Sequence, residues 1–251
     1  MATTQSHIIN RVSVLGVPVS VFTLDDIDSV LASLLSGDEA RQVVFLSFWD
    51  LLRARRNKRY GKMIREAALV VPTSRSIRGA ARFLRKPEPS ACRPFEFVIR
   101  LLGALERHSG SLYILGLNRK SVQVADANLR LTYPGLRLVG RHAGYFGKDR
   151  EKDIEVAIRK AAPDVLLAGS GVPKGDRWLF EHRQNLGAGA RLWAPDVLDI
   201  VVGRRRRPAD GISGLLGRMI RTILGKPWTI FRLLLIPWFF LLLLAHRLLH
   251  R

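Results

Sequence analysis

Cysteine occurs once in these 251 residues, at Cys92. A single thiol excludes an internal disulfide and any zinc site built from several cysteines. The expectation for Cys92 is a small buried apolar residue in a reducing compartment. Acids are also scarce: 21 Asp and Glu stand against 41 Lys and Arg, for a net charge of +20. Such an excess points to anionic partners, namely phosphate groups, nucleic acid or anionic lipid. No apolar run has the roughly 20 residues of a spanning helix. The longest, LLLIPWFFLLLLA at 233–245, has 13 and contains Pro237. The opening MATTQSHIINRVSVLG lacks the basic start and apolar block of a secretion signal. The chain is therefore expected in the cytosol or on the cytosolic face of a membrane. No internal repeat or low-complexity tract is visible.

What is present suits a folded domain. Hydrophobic residues make up 47% of the chain, enough for a packed core. IINRVSVLG and VPVSVF read as two short strands that turn at Gly16, and Thr23 caps the helical LDDIDSVLASLL. QVVFLSF reads as a strand and the very basic LLRARRNKRYGKMIREA as a helical region broken near Gly61. The strand ALVVP follows, then two helices around SIRGAARFLRK and FEFVIRLLGALERH. Further on, the strands SLYILG, LRLVG, DVLLAG and ARLWAP alternate with the helices KSVQVADANLRLTYP, EKDIEVAIRKAAP and GDRWLFEHRQNL. Strand–helix alternation of this length predicts an α/β domain, a parallel sheet with helices on both faces.

Composition changes at Arg204. Residues 204–251 hold ten Lys or Arg and one acid, Asp210. Two regions follow, a domain over 1–203 and a basic appendage over 204–251. The appendage opens with Arg204, Arg205, Arg206 and Arg207. In GLLGRMIRTILGK, Leu215, Leu216, Met219, Ile220, Ile223 and Leu224 share one helical face, while Arg218, Arg221 and Lys226 lie off it. This is the pattern of a basic amphipathic helix at an anionic membrane surface. For the apolar run after it, insertion into one leaflet is the first expectation, a buried C-terminal helix the second and a full span the third. Trp228 and Trp238 suit interfacial depth. The charge also allows nucleic acid, but much of it flanks this tail and no nucleic-acid-binding motif appears.

GSGVPKGDRW at 169–178 joins a strand to a helix. Gly169 and Gly171 permit close backbone approach, and Lys174 adds charge beside a helix N-terminus suited to phosphate. An ordinary glycine-rich turn reads the same way. The turn after Gly116 is of the same kind. VVPTSRSI at 70–77 ends a strand with hydroxyls and no carboxylate. Thr73, Ser74 and Ser76 either cap the next helix or, with Arg75 and Arg78, hold an anion.

Several motifs recur in one order: the strand ending at Gly116, Tyr133-Pro134-Gly135, Gly140, Gly144-Tyr145-Phe146, and Gly169-x-Gly171-x-Pro173-Lys174-x-x-x-Trp178. In this order and spacing the chain resembles the WecG/TagA/CpsF family of glycosyltransferases, from about Ile9 to the tail and most closely between Tyr113 and Arg183. The resemblance implies a Rossmann-like domain with a basic C-terminal appendage that brings it to the membrane. It implies transfer of an N-acetylaminosugar from a UDP donor to a polyprenyl-diphosphate-linked acceptor in cell-envelope polysaccharide synthesis, with no metal or other cofactor. The implied location is the cytoplasmic face of the inner membrane, peripheral or monotopic, and an oligomer is left open. Donor-binding positions fall on Ser47, Gly116, Gly169, Gly171, Lys174 and Gly175. The tail arginines Arg204, Arg205, Arg206, Arg207, Arg218 and Arg221 would meet the membrane or the acceptor diphosphate.

The chain departs from the family pattern at the site itself. The family's Pro-Asp-Gly carries its proposed general base, and Thr73 stands in the place of that aspartate. A threonine hydroxyl does not accept a proton near neutral pH. Ser47-Phe48 replaces Asn-Ala, and Gly175-Asp176 replaces the Gln-Glu after Pro-Lys. Pro195 to Asp199 replaces Gly-Gly-x-Phe-Asp, and Glu96 matches the aspartate of Gly-x-Asp-Leu. Candidates for a relocated base are Asp199, Glu96 and Asp176. Two readings follow: a working transferase with an altered pocket, or an inactive paralogue acting as a scaffold or regulator.

Overall fold

The computed structural model describes residues 10–23, 26–35, 40–89, 91–187, 189–205 and 243–244. The chain divides into two compact units, Met1–Arg205 and Arg206–Arg251. The amphipathic stretch and most of the apolar run expected in the tail lie outside the described residues, as do Arg206, Arg207, Arg218 and Arg221. Among the described residues no helix is long and apolar enough to cross a membrane.

The first unit opens with an antiparallel hairpin, β1 (Arg11–Val14) and β2 (Val17–Ser20). Leu15 and Gly16 both have positive φ, which matches the twist of a two-residue hairpin turn. Six strands then form one parallel sheet: β3 (Ala40–Leu46), β4 (Leu69–Pro72), β5 (Ser111–Leu115), β6 (Arg137–His142), β7 (Val165–Ala168) and β8 (Gly189–Trp193). Their order is β4-β3-β8-β7-β5-β6, and every neighbouring pair is parallel. β4, β5 and β7 are buried along their whole length. Coverage on both faces explains why they read as apolar runs rather than alternating ones.

Nine helices are described: α1 (Ile27–Leu35), α2 (Phe48–Arg56), α3 (Lys58–Glu66), α4 (Arg75–Phe83), α5 (Pro94–Arg107), α6 (Arg119–Thr132), α7 (Lys148–Ala161), α8 (Asp176–Glu181) and α9 (Pro195–Val201). β5 shows how the two faces divide. Leu112 and Ile114 join Leu31, Phe97, Leu101, Val122 and Val197 in one core; Tyr113 and Leu115 join Ile154, Ile158, Trp178 and Leu179 in another. The alternation is the period-2 geometry of a strand. The result is the expected Rossmann-like α/β layering.

The hairpin covers the β4 edge. The buried Ser20 hydroxyl accepts the Val70 N–H at 3.0 Å, and Arg11 donates to the Ala67 and Ala68 carbonyls, each at 2.6 Å. These bonds occupy backbone groups that an open edge would offer to another chain. Cys92 is buried, and its thiol pKa is pushed up to about 11 by burial and then by the Glu96 charge.

Three boundaries differ from those read in the sequence. The basic helical region breaks at Asn57, not near Gly61. Asn57 ends α2 by donating its N–H to the Arg53 carbonyl and starts α3 by accepting the Tyr60 N–H on its side chain. Gly61 lies inside α3, against α2, where a Cβ would come 2.6 Å from the Ala54 carbonyl oxygen. The expected long helix after Gly175 closes at Glu181, and turns carry the chain on to β8. Pro195, read as the end of a strand, opens α9 in the first-turn position that suits proline.

Candidate functional site

All six parallel strands point their carboxyl ends to one edge, the edge where open α/β sheets bind ligands. The loops after β5, β6 and β7 meet there backbone to backbone. Leu117 N–H donates to Ser170 O at 2.6 Å, Gly144 N–H to Leu117 O at 2.8 Å, and Tyr145 N–H to Gly171 O at 2.7 Å. A Cβ at Gly116 would lie 2.9 Å from the Gly169 nitrogen and the Ser170 oxygen. One at Gly144 would lie 2.8 Å from the Ser170 oxygen. These glycines are required by contact between loops, a reason the sequence did not separate from close approach to a ligand.

Gly171 has φ +85°, and a Cβ there would strike the Tyr145 ring at 2.7 Å. Tyr145 itself sits at φ 58° and is 73% exposed. Its ring borders a cleft of about 570 Å³ with Asn118, Arg119, Gln123, Arg141, His142 and Arg150. An exposed ring among arginines has the chemistry to stack on a flat anionic ligand.

A second cleft, of about 560 Å³, opens over the ends of β3, β4 and β8. Thr73 lines it, with Asp50, Arg53, Tyr60, Lys174, Asp176, Arg177 and Asp196. The Thr73 hydroxyl donates to the Leu46 carbonyl at 3.3 Å. Ser74 is the N-cap of α4, accepting the Ser76 N–H at 3.3 Å, while Thr73 faces the cleft.

Ser47 caps α2 rather than standing free. Its Oγ accepts the Asp50 N–H at 3.3 Å and donates to the Asp50 carboxylate at 2.5 Å; the carboxylate also accepts the Ser47 N–H at 3.2 Å. This reciprocal capping box fixes a carboxylate at the cleft wall. Asp50 was not among the candidates read from the sequence, although Ser-x-x-Asp after a strand is a signal that finds it. Tyr60 reaches the same carboxylate, and burial raises its hydroxyl pKa, with the Asp50 charge adding to the rise. The Arg53 guanidinium lies 4.6 Å from the centre of the Tyr60 ring.

Of the acids proposed for a relocated base, Asp176 alone lines this cleft. It is 9% exposed, and its Oδ1 has no hydrogen-bond partner among the described residues. Burial raises its pKa well above the ordinary carboxyl value, and the neighbouring Asp50 charge raises it further. Glu96, in the first turn of α5, and Asp199, on α9, are half-buried and line neither cleft. The Asp199 carbonyl accepts the Arg204 and Arg205 N–H groups, and the Arg205 guanidinium pairs with Asp196 at the cleft wall.

The turn 169–175 runs between the two clefts. Lys174, at φ 57°, faces the second. Gly175, at φ 55°, passes under Trp193, whose ring a Cβ would strike at 2.6 Å. The N–H groups of Gly175, Arg177 and Trp178 donate within the turn, to Val172, Lys174 and Gly175 carbonyls. The turn therefore offers a charge, Lys174, more than a cradle of free amides. Among the described residues no group of three or more His, Cys, Asp or Glu gathers for a metal ion.

The model of the glycosyl transferase WecG/TagA/CpsF family matches residues 12–251. The chain belongs to this family. Over 148 residues it is 22% identical to the N-acetylglucosaminyldiphosphoundecaprenol N-acetyl-beta-D-mannosaminyltransferase of Staphylococcus aureus strain NCTC 8325 / PS 47, covering 59% of this chain and 58% of that one. The proteins of the same name in strains COL and MRSA252 match over the same shares, at 22% and 21% identity. The matched region thus spans well under two thirds of these relatives.

A buried carboxyl whose pKa is raised binds its proton more tightly in the folded state. Between the ordinary value of 3.8 and the folded value, unfolding releases that proton, so stability falls as pH rises through this window. Asp176→Asn removes the ionisation. The variant is expected to melt above wild type near pH ~7, and the gain should vanish below pH ~3.5, where both chains are neutral at this site. Calorimetric melting at the two pH values checks it. A difference independent of pH would mean that folding leaves the Asp176 pKa unshifted.

Proposed function

We propose that this chain is a glycosyltransferase that moves an N-acetylaminosugar from a UDP donor to a polyprenyl-diphosphate-linked acceptor in cell-envelope polysaccharide synthesis. The observation that carries this reading is the pair of clefts at the carboxyl edge, joined by the 169–175 turn, in a chain of this family. In this reading Tyr145 and the arginines of the first cleft take the nucleoside and its phosphates. Arg53, Lys174 and Arg177 offset charge on the diphosphate as it leaves. The acceptor hydroxyl attacks the anomeric carbon, the bond from that carbon to the diphosphate oxygen breaks, and UDP departs with the electron pair.

The hydroxyl proton needs a carboxylate. Thr73 does not supply one, and Asp50 holds one on the same wall. Asp176, whose ionisation burial opposes, faces the same cleft as a hydrogen-bonding group for a sugar oxygen. The lost aspartate supports a second reading, a paralogue that keeps the fold and binds without turnover.

The tail composition supports work at the cytoplasmic face of the inner membrane. The full chain is expected to sediment with anionic vesicles, and a chain ending at Gly203 to do so much less. Salt should weaken the binding without abolishing it, since apolar burial adds to charge attraction. Equal sedimentation of the two would remove the tail from the account.

Transfer assays separate the two catalytic readings. Wild type is expected to be very slow with UDP-N-acetylhexosamines. Thr73→Asp should raise the rate by about 10²–10⁴, the usual worth of a general base. Asp50→Asn should remove the residual wild-type rate while leaving the melting temperature within a few degrees. Wild type and Thr73→Asp both inert would favour the scaffold. Robust wild-type transfer unaffected at Asp50 would place the base elsewhere.

A further inference from the structure

The helical pair α2–α3 carries seven Lys or Arg between Phe48 and Glu66, against two acids. Its apolar residues, Leu51, Ala54, Tyr60, Met63 and Ile64, are buried against the domain. Every one of the seven cations is exposed. Only one of these acids offsets a cation of the outer face. Asp50 is committed to the cleft wall, and Glu66 pairs with Lys62 at 3.7 Å and with Arg183 at 3.5 Å. Arg59 reaches Glu181 at 3.0 Å. Arg55, Arg56, Lys58 and Arg65 make no ion pair among the described residues. A solvated helix face ordinarily interleaves its signs, because like charges side by side repel. Here the repulsion is held in place by Asn57, which caps both helices at their junction.

We infer that the outer face of α2–α3 is a membrane-docking surface of the folded domain, binding anionic lipid headgroups independently of the C-terminal tail. The position argues for lipid over other polyanions. Arg53 and Tyr60, from the same two helices, line the cleft that holds Thr73 and Asp50. A lipid-linked acceptor presents its diphosphate at headgroup level, so the mouth of that cleft must come to the headgroups. Cations beside the mouth bring it there and hold its orientation, while a tail alone fixes only distance. The preference for lipid rests on the proposed function; the excess of unpaired cations does not.

The test uses the full-length chain and vesicles of phosphatidylglycerol mixed with phosphatidylcholine, with phosphatidylcholine alone as reference. The triple variant Arg55→Gln, Arg56→Gln, Lys58→Gln touches no residue of either cleft. The control Lys148→Gln, Lys152→Gln, Lys160→Gln removes the same charge from exposed positions of α7. Affinity for the anionic vesicles is expected to fall by at least about tenfold in the first variant and by less than about threefold in the control, with melting temperatures unchanged. Equal losses would reduce the effect to net charge and overturn the inference, as would no loss at all. A variant that loses duplex DNA but keeps the vesicles would assign the surface to nucleic acid instead. The readout is lipid binding, so an absence of sugar transfer would sink the proposed reaction and leave this result standing.

Discussion

Three loops leaving the sheet at one edge touch through their backbones, and the rest of the site depends on that contact. Leu117, Gly144 and Tyr145 donate across the loop junctions, and Gly116, Gly144 and Gly171 leave no room for a side chain there. The 169–175 turn is fixed by this lock, and with it Lys174 on one side and the exposed Tyr145 ring on the other. Positions between Gly116 and Gly171 come together because these loops meet through their backbones.

Charge then shapes what the edge can do. The domain is strongly basic, yet the second cleft holds Asp50 and Asp176 close enough for the charge of one to oppose ionisation of the other. A carboxyl whose ionisation is opposed, set beside a second carboxyl, gives one small space both donor and acceptor capacity. A buried acid without a partner for one oxygen lowers stability. Its position at the wall of a cleft, rather than in the middle of a core, is what makes a functional explanation the economical one.

Most of the fold was legible because buried parallel strands leave a plain mark. SLYILG, DVLLAG and ALVVP are uniform apolar runs, and each became a strand covered on both faces. The hairpin turn at Gly16 was also legible, since positive φ there favours glycine. The break between α2 and α3 was not. Glycine is the commoner helix punctuation, but an asparagine that serves both helices was the stronger signal, and Gly61 answers to packing against Ala54. Within the site, Thr73, singled out by the order of motifs, lines the second cleft. Asp50 was missed because a capping acid looks local in sequence, and only the sheet brings β3 beside β4, and so Ser47 and Asp50 beside Thr73. Glu96 and Asp199 match family carboxylates in sequence, but their helices leave them off both clefts.

The central claim is that this edge remains a nucleoside-diphosphate site despite the loss of the family aspartate. A ligand that binds only the folded state stabilises it by mass action, by about 2.7 kcal/mol at a concentration a hundred times its Kd. The direct measurement is the melting temperature of the full chain with and without UDP, in wild type and in Gly171→Asp. The account predicts a rise of several degrees in wild type. It predicts none in the variant, where the new side chain displaces Tyr145 and sets a carboxylate beside the diphosphate path. A wild type whose melting temperature is indifferent to UDP would contradict it.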